Sequence, residues 1–261
     1  MSTVEIVDAN AVRTSAINRP DRRNALDHDT VARLRDAVDA AVAHPGVRAI
    51  VLTGRGGAFS AGADVREWAE ISAGKKPRPA RDWVAEATAT TAALQASPKP
   101  TLAMVDGAAT GAGLDLALVC DFRFASDRAR FICSYTRIGY PPDAGSSWLL
   151  PRLIGLEAAK RFVFTGEAWS ADKALKHGMV TEVHPVDGLE KAAVAFAAQL
   201  AAGPTIAIGH AKRLLETGQT RGFPEQLEEE RKAGKLCAAT EDHKEGLAAA
   251  NERREPRFVG R

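Results

Sequence analysis

The sequence has few cysteines, no long apolar run and no excess of charge of one sign. Its three cysteines, Cys120, Cys133 and Cys237, are too few and too scattered for a disulfide framework or a zinc site. No apolar run approaches the roughly 20 residues that a transmembrane helix needs. The first residues lack the basic start and apolar core of a secretory signal. These absences predict a cytoplasmic protein without a metal site and without a membrane partner.

Positive and negative charges nearly balance, because 35 lysines and arginines stand against 33 aspartates and glutamates. A nucleic-acid-binding protein usually carries a clear excess of positive charge, so no nucleic-acid partner is expected. Local basic patches for a phosphorylated small molecule are compatible with this composition. Apolar residues make up 45% of the 261 residues, which is enough for the core of one large domain.

Several common catalytic signatures are also missing. The sequence has no Walker phosphate loop, and no Gly-x-Gly-x-x-Gly follows a strand, which disfavours nucleotide binding in those modes. It has neither His-Glu-x-x-His nor Gly-x-Ser-x-Gly, the signatures of zinc proteases and of serine hydrolases. Redox, kinase and metallohydrolase functions are therefore disfavoured.

Two short loops of small residues are the most informative feature that the sequence does contain. Ser60–Asp64 follows the apolar run 47–54, and Gly107–Gly113 follows the apolar run 100–107. Both runs are predicted to be buried strands, and α/β folds bind ligands where strands end. Small residues leave backbone N–H groups bare, and two such groups that converge on one point form an oxyanion hole. The alternative is that both loops are ordinary tight turns.

Strands and helices are predicted to alternate over the first two thirds of the chain. The pattern indicates a strand pair over 4–17 and then a helix that ends at 44–46 and has Val31, Leu34, Val38 and Val42 on one face. From Leu149 onward helices dominate. The predicted fold class is therefore α/β in layers with a helical C-terminal part. We divide the chain into a core over residues 1–203 and a helical region over residues 204–261.

The order of several segments resembles the enoyl-CoA hydratase/isomerase (crotonase) family. The matching segments are, in chain order, Asn18–Leu26, Val47–Gly54, Ala58–Asp64, Lys99–Pro100, Gly107–Asp121, Pro151–Gly155, Thr165–Ala174 and Gly178–Val180. The resemblance runs over essentially the whole chain, from about Val4 to Arg261. The resemblance implies a crotonase-like spiral of ββα units with a helical C-terminal trimerisation region, hence a homotrimer or a hexamer. It also implies an acyl-CoA thioester as substrate, and no cofactor besides the coenzyme A that the substrate carries.

The resemblance assigns roles to residues of the two loops. It places the donors of the oxyanion hole at the N–H groups of Ala63 and Ala112, where they would stabilise a thioester enolate. Four further residues are implied to bind the coenzyme arm: Arg23 near its phosphates, Ala25, Ala61 and Asp64. Trp68, Trp83 and the loop over 74–79 are expected to shape the acyl pocket. For Arg23, a merely solvated side chain is the alternative.

The acids of this sequence differ from those of the hydratases that it resembles. Hydratases of the family use two glutamates, and the matching positions here are Asp115 and Tyr135. A phenol, with an ordinary pKa of about 10, is a poor general base near neutral pH. A third acid, Asp143, occupies a position where plain hydratases usually carry glycine, and family members with an acid there resemble double-bond isomerases.

We therefore predict an enoyl-CoA isomerase in which Asp143 carries a proton, with Asp115 and Tyr135 completing the catalytic set. Three functions stay open as alternatives. They are hydration by an altered acid pair, hydrolase- or dehalogenase-type chemistry with Asp143 as nucleophile, and acyl-CoA binding without catalysis. Two structural roles stay open as well. Asp143 could cap the helix that starts near Ser146, and Asp115 could be a helix residue satisfied by nearby backbone.

Overall fold

A computed structural model of the chain describes residues 2–261. Within that range the strands are β1 (Val4–Ala9), β2 (Val12–Ile17), β3 (Ala49–Gly54), β4 (Thr101–Val105), β5 (Ala108–Thr110), β6 (Phe122–Ser126), β7 (Arg130–Ile132), β8 (Ala168–Ser170) and β9 (Glu182–His184). The helices are α1 (His28–Ala43), α2 (Val65–Ser72), α3 (Trp83–Ala96), α4 (Ala112–Leu118), α5 (Ser146–Ile154), α6 (Leu156–Thr165), α7 (Ala171–Lys176), α8 (Val186–Ala202), α9 (Thr205–Gly218), α10 (Phe223–Ala238) and α11 (Glu241–Glu252). Short 3-10 turns cover Pro20–Arg22 and Tyr135–Ile138.

The main sheet has the strand order β1-β2-β3-β4-β6-β9. Its first two strands form the predicted antiparallel hairpin, which turns at Asn10 and Ala11. Both turn residues have positive φ, as a tight two-residue hairpin turn requires. From β2 to β9 the neighbouring strands are parallel. A smaller sheet has the order β5-β7-β8, and the mixture of sheets and helices confirms the predicted α/β class.

Helix α1 shows how the sequence pattern becomes packing. The Asp27 side chain accepts a hydrogen bond from the Thr30 amide at 2.8 Å and caps the helix. The predicted apolar face is correct, since Val31, Leu34 and Val38 are buried in the core. Burial of each such side chain contributes about 1.5–3 kcal/mol to folding, which fixes the face of α1 that packs inward.

Arg48 is one of the residues that attach the C-terminal helices to the rest of the molecule. Its guanidinium donates to the carbonyl of Gly203 at 2.5 Å, to Thr205 Oγ1 at 2.8 Å and to the carbonyl of Phe258 at 3.1 Å. The division placed at residues 203 and 204 lies between α8 and α9, and as a domain boundary it stays a prediction.

No single helix in residues 2–261 has the length and hydropathy to cross a membrane. Helices α8 and α9 pass that test only as a pair, which is bent by 103°.

Candidate active site

The two segments of small residues pack against each other through their backbones. The second was predicted to be a loop, but it contains β5 (Ala108–Thr110) and the first residues of α4. The Ser60 amide donates to the carbonyl of Ala108, and the Thr110 amide donates to the carbonyl of Ser60, both at 2.9 Å. Ser60 also forms a parallel bridge with Ala109. Loops that are far apart in the sequence therefore form one continuous backbone surface.

Glycine is required at two positions of this contact. Gly62 has a φ of +82°, and a Cβ built on it would lie 2.5 Å from the carbonyl oxygen of Thr110 and 3.4 Å from the amide nitrogen of Ala112. A Cβ on Gly113 would lie 2.6 Å from the Ser60 Cβ. Such distances are too short for a side chain, so only glycine allows the two loops to approach this closely.

Ala63 and Ala112 lie at this contact with free N–H groups. Ala112 is the first residue of α4, where an N–H has no partner within the helix. The neighbours of Ala63 are engaged, because Leu26 donates to the Gly62 carbonyl at 2.8 Å and Asp64 donates to the Leu26 carbonyl at 3.0 Å. Within residues 2–261, the Ala63 and Ala112 amides themselves have no acceptor. Both residues line a cavity of ≈ 80 Å³, and their role as donors to a bound carbonyl oxygen stays a prediction.

Asn24 holds the first loop in place, although the sequence analysis did not single it out. It is fully buried with a φ of 58°, and its side-chain amide donates to the carbonyls of Arg55 at 2.8 Å and Ala58 at 2.6 Å. The Ser60 hydroxyl donates to the Asn24 carbonyl at 2.8 Å. Asparagine tolerates positive φ better than most residues, and that preference within a turn-rich segment is the signal that could have revealed it.

Arg19 is a second supporting residue that the sequence analysis missed. Its guanidinium contacts Asp27 at 3.0 Å and Asp64 at 3.1 Å, and it donates to the Ala25 carbonyl at 2.5 Å. It therefore joins the start of α1 to the start of α2, directly beside the first loop. The pattern of charges in the sequence gave no indication of this, because Asp64 is 45 residues away.

The residues that the resemblance assigns to the coenzyme arm lie together along the first loop. The Ala61 amide donates to the Arg23 carbonyl at 3.0 Å, and Ala61 lines the small cavity. Ala25 is buried, whereas the Arg23 side chain is exposed. Asp64 caps α2 and contacts Arg19, so its carboxylate already has a structural role. Coenzyme binding by these four residues stays a prediction.

Asp115 is fully buried and both of its carboxylate oxygens are occupied. Oδ1 accepts a hydrogen bond from the Ser146 amide at 2.9 Å, and Oδ2 accepts one from the Tyr135 hydroxyl. Burial raises the pKa of Asp115 to about 6, and these donors oppose part of that rise. Asp115 does not line the cavity that Ala63 and Ala112 share. In this position it fixes the start of α5 and the ring of Tyr135.

Asp143 differs from Asp115 in its position, because it lines the small cavity together with Ala63 and Ala112. Its Oδ1 is shielded from solvent and has no hydrogen-bond partner. Burial raises the pKa of Asp143, and the Tyr135 hydroxyl opposes part of that rise. The helix-cap alternative for Asp143 is wrong, since Gly145 occupies the N-cap position of α5 and the Ser146 amide donates to Asp115.

Tyr135 lies between the two acids. It is buried, it lines the small cavity, and its hydroxyl donates to Asp115. Burial raises the pKa of Tyr135, and the negative charges of Asp115 and Asp143 raise it further. Tyr135 is therefore a neutral phenol near neutral pH, which can donate a hydrogen bond but cannot serve as a general base.

The environment of Asp115 predicts how the stability of the protein depends on pH. Its pKa is about 6 in the folded protein against an ordinary value of 3.8, so the folded state binds the proton more tightly. The resulting stabilisation is fully present below pH 3.8 and is lost as the pH rises through about 6. A shift of this size corresponds to about 3 kcal/mol.

Asp115→Asn should remove this pH dependence, because the amide does not titrate and its oxygen still accepts from Ser146. Urea unfolding at pH 4 and pH 7 measures the effect as the difference between wild type and variant, in which the other carboxyl groups cancel. Wild type should lose about 2 kcal/mol relative to Asp115→Asn over this interval, because pH 4 lies just above the ordinary pKa and part of the full effect is already lost there. Identical pH profiles for the two proteins would contradict a desolvated Asp115.

A larger cavity of ≈ 720 Å³ adjoins the small one, and the two share Trp68, Trp83 and Tyr140 in their walls. The indole rings of Trp68 and Trp83 pack edge to face, with centroids 5.3 Å apart. The segment over 78–82 forms another wall. The structure thus places both tryptophans in the cavity of the free amides, and part of the expected pocket loop in the adjoining larger cavity. In residues 2–261 no group of three or more His, Cys, Asp or Glu side chains is arranged to hold a metal ion.

Comparison with known proteins identifies the family to which this site belongs. The model of the enoyl-CoA hydratase/isomerase family matches residues 8–261. The chain is 35% identical to 2,3-dehydroadipyl-CoA hydratase of Escherichia coli (strain K12) over 100% of both chains. It is 31% identical to 1,2-epoxyphenylacetyl-CoA isomerase of the same bacterium, over 96% of this chain and 95% of that one.

A solved structure of an enoyl-CoA hydratase from Bacillus anthracis is similar over the whole chain. It matches with a TM-score of 0.92 at 32% identity, and the match covers 100% of each chain. The predicted family and the crotonase-like architecture are confirmed. The chain therefore belongs to the enoyl-CoA hydratase/isomerase family and is an acyl-CoA enzyme with the crotonase fold.

Proposed function

We propose that the protein is an enoyl-CoA isomerase in which Asp143 moves a proton between two carbons of the acyl chain. The observation that supports this is the contrast between the two acids. Asp115 has both oxygens bound in the core, while Asp143 lines the cavity with an oxygen that has no partner. One mobile carboxylate suffices to move a proton, whereas hydration also needs a group that activates water.

In the proposed reaction, the carbonyl oxygen of a 3-enoyl thioester accepts hydrogen bonds from the N–H groups of Ala63 and Ala112. The Asp143 carboxylate removes a proton from carbon 2, and the electron pair of the broken C–H bond delocalises onto the carbonyl oxygen as a dienolate. The protonated Asp143 then returns the proton to carbon 4, which leaves a 2-enoyl thioester. The two amides stabilise the dienolate oxygen more than the neutral carbonyl, which lowers the barrier.

The environment of Asp143 suits this role. Desolvation disfavours the charged carboxylate and so raises its affinity for a proton. A carboxyl group transfers protons best when its pKa is close to the working pH. The neutral hydroxyl of Tyr135 lies beside both acids and orients them without competing for the proton.

Product analysis with 3-enoyl-CoA and 2-enoyl-CoA tests the proposal. We expect the two isomers to interconvert, with no product that is heavier by one water molecule. A 3-hydroxyacyl product as the main product from 2-enoyl-CoA would favour hydration by the altered acid pair. An acyl adduct on Asp143, seen by mass spectrometry of the enzyme during turnover, would favour the nucleophilic alternative. Binding without any turnover would favour an acyl-CoA-binding protein.

We also propose that the protein is a cytoplasmic homotrimer or hexamer that needs no metal and binds no nucleic acid. The assembly is supported by large apolar side chains that are exposed on the C-terminal helices: Leu215, Phe223, Leu236 and Leu247. Exposed apolar surface of this kind commonly marks a protein–protein contact. Light scattering should report three or six subunits, and a stable monomer at micromolar concentration would contradict the proposed assembly.

A further inference from the structure

The larger cavity beside the proposed enolate site contains hydrogen-bond donors that the protein does not use. Its basic side chains are His28, Arg78 and Arg81. His28 Nδ1 lies 2.8 Å from a Glu67 oxygen, and Arg81 donates two bonds of 2.7 Å to Glu86. Within residues 2–261, Arg78 has neither an ion-pair partner nor a hydrogen-bond acceptor. One guanidinium in the wall of the cavity is therefore available to a ligand.

The two tryptophans of the cavity wall also differ in whether the indole N–H has a hydrogen-bond acceptor. Trp83 Nε1 donates to the carbonyl of Leu26 at 2.9 Å. Trp68 Nε1, on the ring that packs against Trp83, is shielded from solvent and has no acceptor. A buried donor without an acceptor costs folding free energy, and an oxygen atom of a ligand would supply the missing partner.

The carboxylate in the wall of the larger cavity is held at the start of a helix. The acidic residue in the wall is Asp82, and its side chain accepts a hydrogen bond from the Ala85 amide at 2.8 Å as the cap of α3. The wall therefore offers a free guanidinium, a free indole N–H and aromatic surface. This combination is complementary to a ligand that has a hydrocarbon chain and ends in an anion.

We propose that the larger cavity receives the far end of an acyl chain that carries a carboxylate, so that the substrate is an ω-carboxyacyl thioester of coenzyme A. Arg78 pairs with the terminal carboxylate, and Trp68 Nε1 donates to one of its oxygens. The inference rests on the proposed function, because the thioester must lie at the enolate site for its chain to reach the larger cavity, which adjoins the small one at Trp68, Trp83 and Tyr140.

Binding of unreactive saturated thioesters tests the inference independently of turnover. Adipyl-CoA and hexanoyl-CoA have acyl chains of equal length and differ in the terminal carboxylate, while phenylacetyl-CoA offers an aromatic end. By isothermal titration calorimetry we expect adipyl-CoA to bind about tenfold more tightly than hexanoyl-CoA, since a charge-assisted pair is a strong hydrogen bond. Coenzyme A alone reports the part of the affinity that does not depend on the acyl chain.

Two variants and a matched control assign the preference to its residues. Arg78→Gln should abolish the preference for adipyl-CoA, and Trp68→Phe, which keeps a ring but removes the donor, should reduce it. Lys75→Gln removes one positive charge from the same loop outside the wall of the cavity, and it should leave the preference unchanged.

The inference would be overturned by equal binding of adipyl-CoA and hexanoyl-CoA to wild type, by tighter binding of phenylacetyl-CoA than of adipyl-CoA, or by a preference for adipyl-CoA that survives Arg78→Gln. Equal weakening of both straight-chain thioesters by Trp68→Phe would also contradict it, because the indole would then act by packing alone. Failure of every thioester and of coenzyme A to bind would instead contradict the proposed function.

Discussion

Asp143→Asn should lower the turnover of a 3-enoyl-CoA by about a thousandfold, while the dissociation constant of a saturated thioester should change little. The amide has nearly the same shape as the carboxylate but cannot accept a proton from carbon. A positioned general acid or base contributes about 10²–10⁴-fold to a rate, and here a single group is proposed to perform both transfers. The measurement is turnover together with solvent-deuterium exchange at the acyl carbons.

Asp115→Asn is the matched control, because it makes the same chemical change at the acid that the structure buries behind the cavity. Its effect on turnover should be much smaller than that of Asp143→Asn, since the amide can still accept from Ser146. If the enzyme were a hydratase, both changes should be comparably severe. Deuterium exchange at the wild-type rate in Asp143→Asn would remove Asp143 from the mechanism.

Ala112→Pro should lower kcat by about 10²–10³-fold, which is the usual loss when one donor of an oxyanion hole is removed. Most substitutions leave a backbone N–H in place, but proline removes it. Ala112 is the first residue of α4, the position at which proline fits a helix best, because its φ is already suitable and no helical bond is lost. The helix should therefore form, while the dienolate loses one of its two donors.

Ala112→Gly is the control for this experiment, because it alters the same side chain and keeps the N–H. Its kcat should stay close to that of wild type, and circular dichroism should show that both variants are folded. Comparison of kcat at saturating substrate separates the loss of the donor from any steric effect of the proline ring on binding. A wild-type kcat in Ala112→Pro would exclude this amide as an oxyanion donor.

Several elements follow from local sequence patterns alone. The hairpin of β1 and β2, the apolar face of α1 and helix α6 (Leu156–Thr165) are recognisable because alternation, helical spacing and turn residues act within a few residues of one another. Strands β5, β8 and β9 were not predicted, since each has only three residues and shows no period. Helix α11 was also missed, because it starts at Glu241, directly after α10 ends at Ala238.

The sequence by itself determined the α/β class, the two segments of small residues that follow strands β3 and β4, and the set of acids from which the catalytic group is drawn. Only the tertiary structure decided how the acids differ. Asp115 and Asp143 are the same residue type, and their neighbours in the sequence do not reveal which groups contact them. The partners of Asp115 are Tyr135 and Ser146, which lie 20 and 31 residues away. Desolvation and hydrogen bonding depend on which distant groups the fold brings within 3 Å, and that is why one carboxylate is held in the core while the other lines the cavity.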